Sequence, residues 1–332
     1  MIYTSKILLI HVTGRIGDSL LATPAINTVK RYFKKAEIDL LAHRNRLNLF
    51  ENTRHIQLLG SISDKRSWYK GWLSIKKYDY VIVFNYGNDQ TDILRFALRV
   101  GKKVIASRTK NQKLNAQLFY CVPRKKNHFI FNYMDYLDPF RIKFFFTRIQ
   151  FSLSNNEKEF ARSLLKNHNV SKNTFFVGLQ LLSFPTRSYR DWPIKNFISL
   201  ANKILTSKQN AFFIIFGGND DRVKARQFTE KFSKDQCLDL SGLSLRKTAA
   251  VMSMVDLYVG VDTGPTHMMS AFDVPMVAMY HGKFPSKYLA PIGHPHFVAI
   301  DHPKKDKCSY KDTMADISVD HVYLKLKSFL LK

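Results

Sequence analysis

The sequence is poor in cysteine and in acidic residues, and no apolar run in it approaches the length of a membrane span. Its three cysteines, Cys121, Cys237 and Cys308, are odd in number and far apart among 332 residues. That excludes a disulfide scaffold and a Cys-x-x-Cys metal site, and it fits a reducing compartment. No uninterrupted apolar stretch reaches the roughly 18 to 20 residues that a spanning helix needs. Residues 1 to 10 offer too short an apolar core for a signal peptide, with no small-residue cleavage site. A soluble, cytoplasmic chain is therefore expected. Gly-x-Gly-x-x-Gly, the Walker loop, Gly-x-Ser-x-Gly and His-Glu-x-x-His are all absent, which removes the usual dinucleotide, NTPase, serine-hydrolase and zinc-peptidase signatures.

Acidic residues number 26 against 52 Lys and Arg, giving a formal charge of +26. The excess is uneven: residues 1–150 carry 27 basic and 10 acidic side chains, the remainder 25 and 16. A field of that sign concentrates phosphates on nucleic acid, on anionic lipid or on a small acidic substrate. A lysine-rich solvated surface would give the same count. No DNA-binding motif accompanies the charge, so nucleic acid is not expected as a partner. The length and a hydrophobic content of 45% suit two ordinary globular cores.

Residues 6–12 (KILLIHV) read as a buried parallel strand, because apolar residues fill both faces. A Thr13-Gly14 turn and a helical pattern follow, then strands near 37–41, 80–84 and 103–106. Residues 115–150 mix aromatics with Arg and Lys and read as helix plus a domain junction, and residues 150–172 as a linker. The alternation then restarts, with strands at 175–179, 211–216, 237–240, 257–261 and 275–280 and helices between them. Two successive α/β runs predict two Rossmann-like domains, 1–155 and 172–315, with a helix at 318–332 that could pack back on the first. Ligands of open parallel sheets bind beyond the carboxyl ends of the strands. Chemistry is therefore sought just after each strand, in a cleft between the two domains.

Three such segments carry suitable groups. In the first, Gly14, Arg15 and Gly17 form a turn ahead of Asp18, at a helix start that favours negative charge. Asp18 reads either as an N-terminal cap or as a general base. In the second, residues 183–193 (SFPTRSYRDWP) bring hydroxyls and two arginines ahead of a helix. Such groups suit phosphate oxygens, although a capped loop over a core Trp192 would look the same. In the third, Asp262-Thr263-Gly264-Pro265-Thr266-His267 follows a buried strand and sets hydroxyl and amide donors at a helix start, with a histidine on the first turn. His294, His296, His302 and Asp301 lack a ligand spacing and read as loop residues, so no metal site is expected.

The ordered set resembles the ADP-heptose:lipopolysaccharide heptosyltransferases, glycosyltransferase family 9. The matching segments run from Ile7–Ile10 through Arg15–Ile26, Tyr189–Pro193, Phe216–Asp221 and Leu240–Leu245 to Asp262–His267. The resemblance implies a GT-B fold: α/β, with two Rossmann-like domains facing an interdomain cleft. It implies an inverting, metal-independent transferase without a cofactor, moving heptose from ADP-heptose to a lipopolysaccharide or lipooligosaccharide core. Asp18 would be the catalytic base, with Gly14, Arg15 and Gly17 beside it at the cleft. The donor would be held by Thr186, Arg190, Asp262, Thr263, Gly264 and His267, with Leu243 at the adenine and Asp220 or Asp221 at the ribose. The acceptor would be a lipid-linked oligosaccharide bearing phosphate or Kdo, met at the anionic inner face of the inner membrane. A GT-B transferase using another nucleotide sugar for a different surface polysaccharide is the alternative.

Overall fold

The computed structural model describes residues 5–63, 76–84, 89–123, 126–142, 146–168 and 173–331. The chain divides into two compact units, Met1–Ser152 and Leu153–Lys332. The first holds strands β1 (Lys6–His11), β2 (Glu37–Ala42), β3 (Gln57–Ser61), β4 (Tyr78–Val83), β5 (Gly101–Ser107) and β6 (Tyr120–Val122). They lie in the order β3-β2-β1-β4-β5-β6, and every pairing is parallel. Helices α1 (Ile16–Tyr32), α2 (Thr91–Val100), α3 (Gln112–Asn115) and α4 (Phe129–Met134) accompany them. Central β1 is apolar on both faces because Leu9 sits in register between Leu40 and Ile82, with covering side chains above and below.

Helix α1 contains Pro24, which has no N–H to give the carbonyl one turn back. Thr23 supplies the missing donor, its Oγ1 reaching the Leu20 carbonyl at 2.6 Å. The same hydroxyl accepts from the Gln150 amide, and Thr28 accepts from Phe146. Two threonines thus keep the helix continuous and fasten the end of the unit along it.

Edge strands β3 and β6 escaped the sequence reading for a physical reason. β3 (QLLGS) is half exposed and broken by Gly60, and β6 has three residues, so neither makes the apolar run of a central strand. The aromatic stretch 115–150 resolves into β6, α4 and a 3-10 turn at Asp135–Phe140, with the Phe140 ring edge-on to Phe33 and Tyr80. Lys143, Phe144 and Phe145 of that stretch lie outside the described residues.

The second unit repeats the plan with β7 (Phe175–Gln180), β8 (Ala211–Phe216), β9 (Cys237–Asp239), β10 (Leu257–Val261), β11 (Met276–Tyr280) and β12 (Phe297–Asp301). The order is β12-β11-β10-β7-β8-β9, again all parallel. Numbered from its own first strand, each sheet reads 3-2-1-4-5-6, the doubly wound order whose switch point lies between strands 1 and 4. The helices are α5 (Asn155–Lys166), α6 (Ile194–Ser207), α7 (Arg222–Thr229), α8 (Leu245–Met252), α9 (Gly264–Met269), α10 (Ser286–Leu289) and α11 (Val319–Leu330).

Two expectations are corrected here. The histidine-rich segment read as loop contains β12, whose Asp301 accepts from the Ser286 amide and hydroxyl at 2.7 Å. His294 and His302 bond the carbonyls of Phe272 and Thr313. The segment 150–172 is more than a linker, because it contains α5; its residues 169–172 lie outside the described ones. Helix α11 packs on α6 and adds Val322, Leu326 and Leu330 to the core around Trp192 within the second unit. Among the described residues no helix is long and apolar enough to cross a membrane.

Helix α5 opens with a capping box: Ser154 Oγ accepts from the Glu157 amide, and Glu157 Oε2 accepts from the Ser154 amide at 2.7 Å. Glu157 also takes a forked ion pair from Arg246 of α8, with Nη2 to Oε2 at 2.8 Å. The Arg246 fork, joined by the Ser154 donors, holds the Glu157 carboxyl down to about 2. A carboxyl depressed by folding stabilises above its unfolded value and loses that contribution as pH falls through the folded one. Glu157→Gln should therefore cost about 2 kcal/mol at pH 7. The difference from wild type should shrink between about pH 5 and pH 2 in urea unfolding curves, whereas a pH-independent difference would reduce the pair to packing.

Candidate active site

In the first unit the turn after β1 carries Thr13, Gly14, Arg15 and Gly17 into α1. Arg15 is the N-cap residue, extended at φ −97°, and its side chain makes no cap bond. Asp18 lies in the first turn with its carboxylate free of any capping contact; Oδ2 accepts from Thr13 Oγ1 at 3.4 Å. The cap reading of Asp18 is therefore not met. Gly14 packs on the His43 imidazole, where an added Cβ would sit 3.6 Å from the ring.

Sequence reasoning missed His11, which ends the otherwise apolar β1. It is buried among the rings of Phe50, Phe84 and Tyr133, and burial drives its pKa down to about 4. The imidazole is neutral near pH 7. Its Nε2 must carry the proton, because it donates to the Asp18 carbonyl at 3.3 Å, and Nδ1 is left without a partner. His11 thus pins the turn that carries Asp18. The signal was there in principle: a lone histidine closing a buried strand.

In the second unit the switch point between β7 and β10 brings two distant segments together. Arg190, at the end of a 3-10 turn (Pro185–Arg190), is buried, and so is Asp262 directly after β10. Arg190 Nη1 meets Asp262 Oδ2 at 2.6 Å, and His267 Nε2 lies 3.5 Å from Asp262 Oδ1. Arg190 Nε and Nη2 are buried with no hydrogen-bond partner. The guanidinium stacks 4.2 Å above the Phe284 ring, a residue the sequence reading did not name although it stands four positions beyond β11. Thr263 is the N-cap of α9, where Gly264 begins, and the first amides of a helix have no acceptor within it. Thr266 Oγ1 bonds Tyr258 and the Val261 carbonyl, tying helix to strand. Thr186 is exposed on the 3-10 turn, outside this cluster. Trp192 is core: fully buried, its Nε1 donates to the Ile317 carbonyl at 2.8 Å.

A second cluster stands beyond β8 and β9. Asp221 is half-buried, its Oδ2 accepting from the Gly218 amide at 2.7 Å, and burial raises its pKa. Asp220 beside it is exposed. Gly242 has φ +88°, and an added Cβ would strike the Asn219 and Arg222 side chains, so only glycine fits there. Its amide donates to Gly217 at 3.0 Å, and Leu243 follows, half-buried against the same loop.

A profile of glycosyltransferase family 9 (heptosyltransferase) matches residues 75–317. The chain belongs to that family. The lipooligosaccharide heptosyltransferase 2 of Campylobacter jejuni is 23% identical over 289 residues, covering 82% of this chain and 79% of the relative. A family 9 glycosyl transferase of Veillonella parvula superposes with a TM-score of 0.82 at 17% identity, over 100% of this chain and 99% of its own. The E. coli heptosyltransferase WaaC, solved with ADP-2-deoxy-2-fluoro heptose, gives 0.66 at 15% identity, over 97% and 99%. The fold is GT-B, and the chain is a glycosyltransferase.

The buried pair yields a prediction. Asp262→Ala leaves the Arg190 charge uncompensated and should lower the unfolding free energy by about 3 to 5 kcal/mol. Adding Arg190→Met should restore most of that loss. Equal losses in the single and double variants, read from denaturant unfolding, would show that the pair does not couple.

Proposed function

We propose that this chain moves heptose from ADP-heptose to a lipid-linked lipopolysaccharide or lipooligosaccharide core, with inversion and without a metal. One observation carries the reading: a buried guanidinium beyond the strand ends, fixed by Asp262 and retaining two nitrogens, Nε and Nη2, whose N–H groups have no partner. Such donors are worth most where water is excluded, against an anion that gains charge as the reaction proceeds.

Arg190 takes the donor diphosphate, aided by the Thr263 and Gly264 amides and by Thr186, while Asp262 and His267 hold its geometry and meet the sugar. Asp220, with its exposed carboxylate, takes the ribose hydroxyls, because Asp221 is committed to the Gly218 amide; the Leu243 backbone meets the adenine. In the first unit Asp18 accepts the proton of the acceptor hydroxyl. A sugar hydroxyl is far too weak an acid to be ionised beforehand, so the proton moves as the new C–O bond forms. The anomeric C–O bond to ADP breaks in the same displacement, the electron pair leaves with the diphosphate, and the single displacement inverts the centre. Gly14, Arg15 and Gly17 form the turn beneath the attacking group.

The acceptor's phosphates or Kdo carboxylates suit the basic first unit. Arg108 and Lys110 line a cleft of about 800 Å³ beyond the carboxyl ends of β5 and β6, the end of the strands at which Asp18 also stands. Lys102 and Lys103 lie at the start of β5, the opposite end of that strand, where Lys102 pairs with Asp79 and Lys103 stacks over Phe119. Peripheral association with the inner face of the membrane follows from such an acceptor.

The test is turnover of ADP-heptose on core lipids truncated before the heptose. Asp18→Asn should lower kcat about a hundredfold or more with ADP affinity nearly unchanged; retained turnover would remove Asp18 from the chemistry. Turnover with UDP- or GDP-sugars in place of ADP-heptose would overturn the donor. EDTA should leave the rate unchanged, since Arg190 and main-chain amides neutralise the leaving group. Restoration of an EDTA-inhibited enzyme by Mg²⁺ or Mn²⁺ alone would refute metal independence.

A further inference from the structure

A second basic concavity lies in the first unit, along the C-terminal half of α1. Its volume is about 520 Å³. Helix α1 contributes Asn27, Lys30 and Arg31, which share one face at spacings of three and four, and the turn after it contributes Lys34. The segment before β3 contributes Arg54 and His55. No carboxylate lines it, and among the described residues none of Lys30, Arg31, Lys34 and Arg54 is in an ion pair. Cations in the last turn of a helix are often explained by the helix dipole, which would account for Lys30 and Arg31. It does not account for Arg54, which arrives from another segment.

Two further observations point to a ligand. The Asn27 side chain lines the concavity, and its Nδ2 is buried with no hydrogen-bond partner, a donor with nothing to donate to. The wall that brings Arg54 and His55 is held by Asn52 at φ +60° and His55 at φ +64°, left-handed conformations that cost a non-glycine residue energy. That cost is met without any carboxylate to draw the cations together.

We propose that this concavity is a binding site for a phosphomonoester, separate from the site of transfer. A dianionic phosphate draws on several cations at once, with the Asn27 side chain turning to bring its amide to the anion, which a monoanionic diester does less well. Lys30 follows Asp18 by twelve residues of helix, about 18 Å of rise. A phosphate held here is therefore not on the sugar under attack; it belongs to a remote part of a large ligand or to a second molecule. The inference does not depend on the donor or the acceptor proposed above, since its readout is binding and not turnover.

The experiment titrates the ¹⁵N-labelled protein with inorganic phosphate against chloride of equal ionic strength, following the Asn27 side-chain amide by NMR. Phosphate should shift that resonance saturably and chloride should not. Lys30→Gln with Arg54→Gln, both at solvent-accessible positions, should weaken phosphate by about tenfold, as expected when charge-assisted bonds are lost. Lys34→Glu is a second variant with the same expectation. An unmoved resonance, or identical titrations of wild type and variants, would overturn the site. A second arm compares vesicles of phosphatidylcholine doped with phosphatidic acid or with phosphatidylglycerol at equal charge. Preference for phosphatidic acid that disappears in the variants identifies a lipid-borne monoester; phosphate binding without vesicle binding identifies a soluble one. Equal retention on both vesicles by wild type and variants, with no response to phosphate, would leave only nonspecific surface charge and refute the proposal.

Discussion

A guanidinium can leave water only against a carboxylate held in return, and the second unit is arranged around one such pair. Arg190 comes from the turn after β7, and Asp262 from the first position after β10, 72 residues later. The parallel pairing of β7 with β10 sets those two chain exits side by side. Phe284, from beyond β11, floors the guanidinium, so three adjacent strands each contribute one wall. With one side of the guanidinium neutralised and another stacked, the free N–H groups have a fixed direction. An anion arriving there meets donors that need not reorganise, which is how a protein stabilises a charged leaving group.

Much of this was legible in the sequence, and the remainder was hidden for identifiable reasons. Central strands such as β1, β8 and β10 are apolar on both faces because helices cover both sides, and uninterrupted runs are easy to read. Edge strands β3 and β6 are short and partly wet, so they carry no such run. Helix α5 announced itself only through Ser154 and Glu157, a capping box set in a polar stretch that resembles a linker. At the site, Arg190, Asp262 and His267 could be named because they lie between the end of a strand and the helix that follows it, or on that helix's first turns. Their mutual contact could not, because residue spacing does not reveal which strand exits are neighbours. Residue spacing alone does not separate Asp220 from Asp221; the hydrogen bond from the Gly218 amide to Asp221 does.

The net charge was equally visible and equally incomplete. A count of lysines and arginines in residues 1–150 does not separate those that share a concavity from those already partnered. Lys102 and Lys103 are neighbours in sequence of Arg108 and Lys110, yet a strand of seven residues carries the two pairs to its opposite ends. Lys30 and Arg54 are far apart in sequence and line one wall-to-wall space. His11 shows the converse, a titratable group whose burial among aromatic rings silences it and turns it into a fixed donor.

The bond from the Trp192 indole to the Ile317 carbonyl has a temporal side. It spans 125 residues, and α11 then adds three further side chains to the same core. On the ribosome the first unit has all its described strands once residue 122 has emerged. The second must wait, with the Trp192 pocket open, until residues 317 to 330 leave the exit tunnel. At about 5 to 20 residues per second, Leu330 emerges roughly 7 to 28 seconds after Trp192 does. During that interval the half-built second core, with its exposed apolar β8 strand, is the species a chaperone would meet.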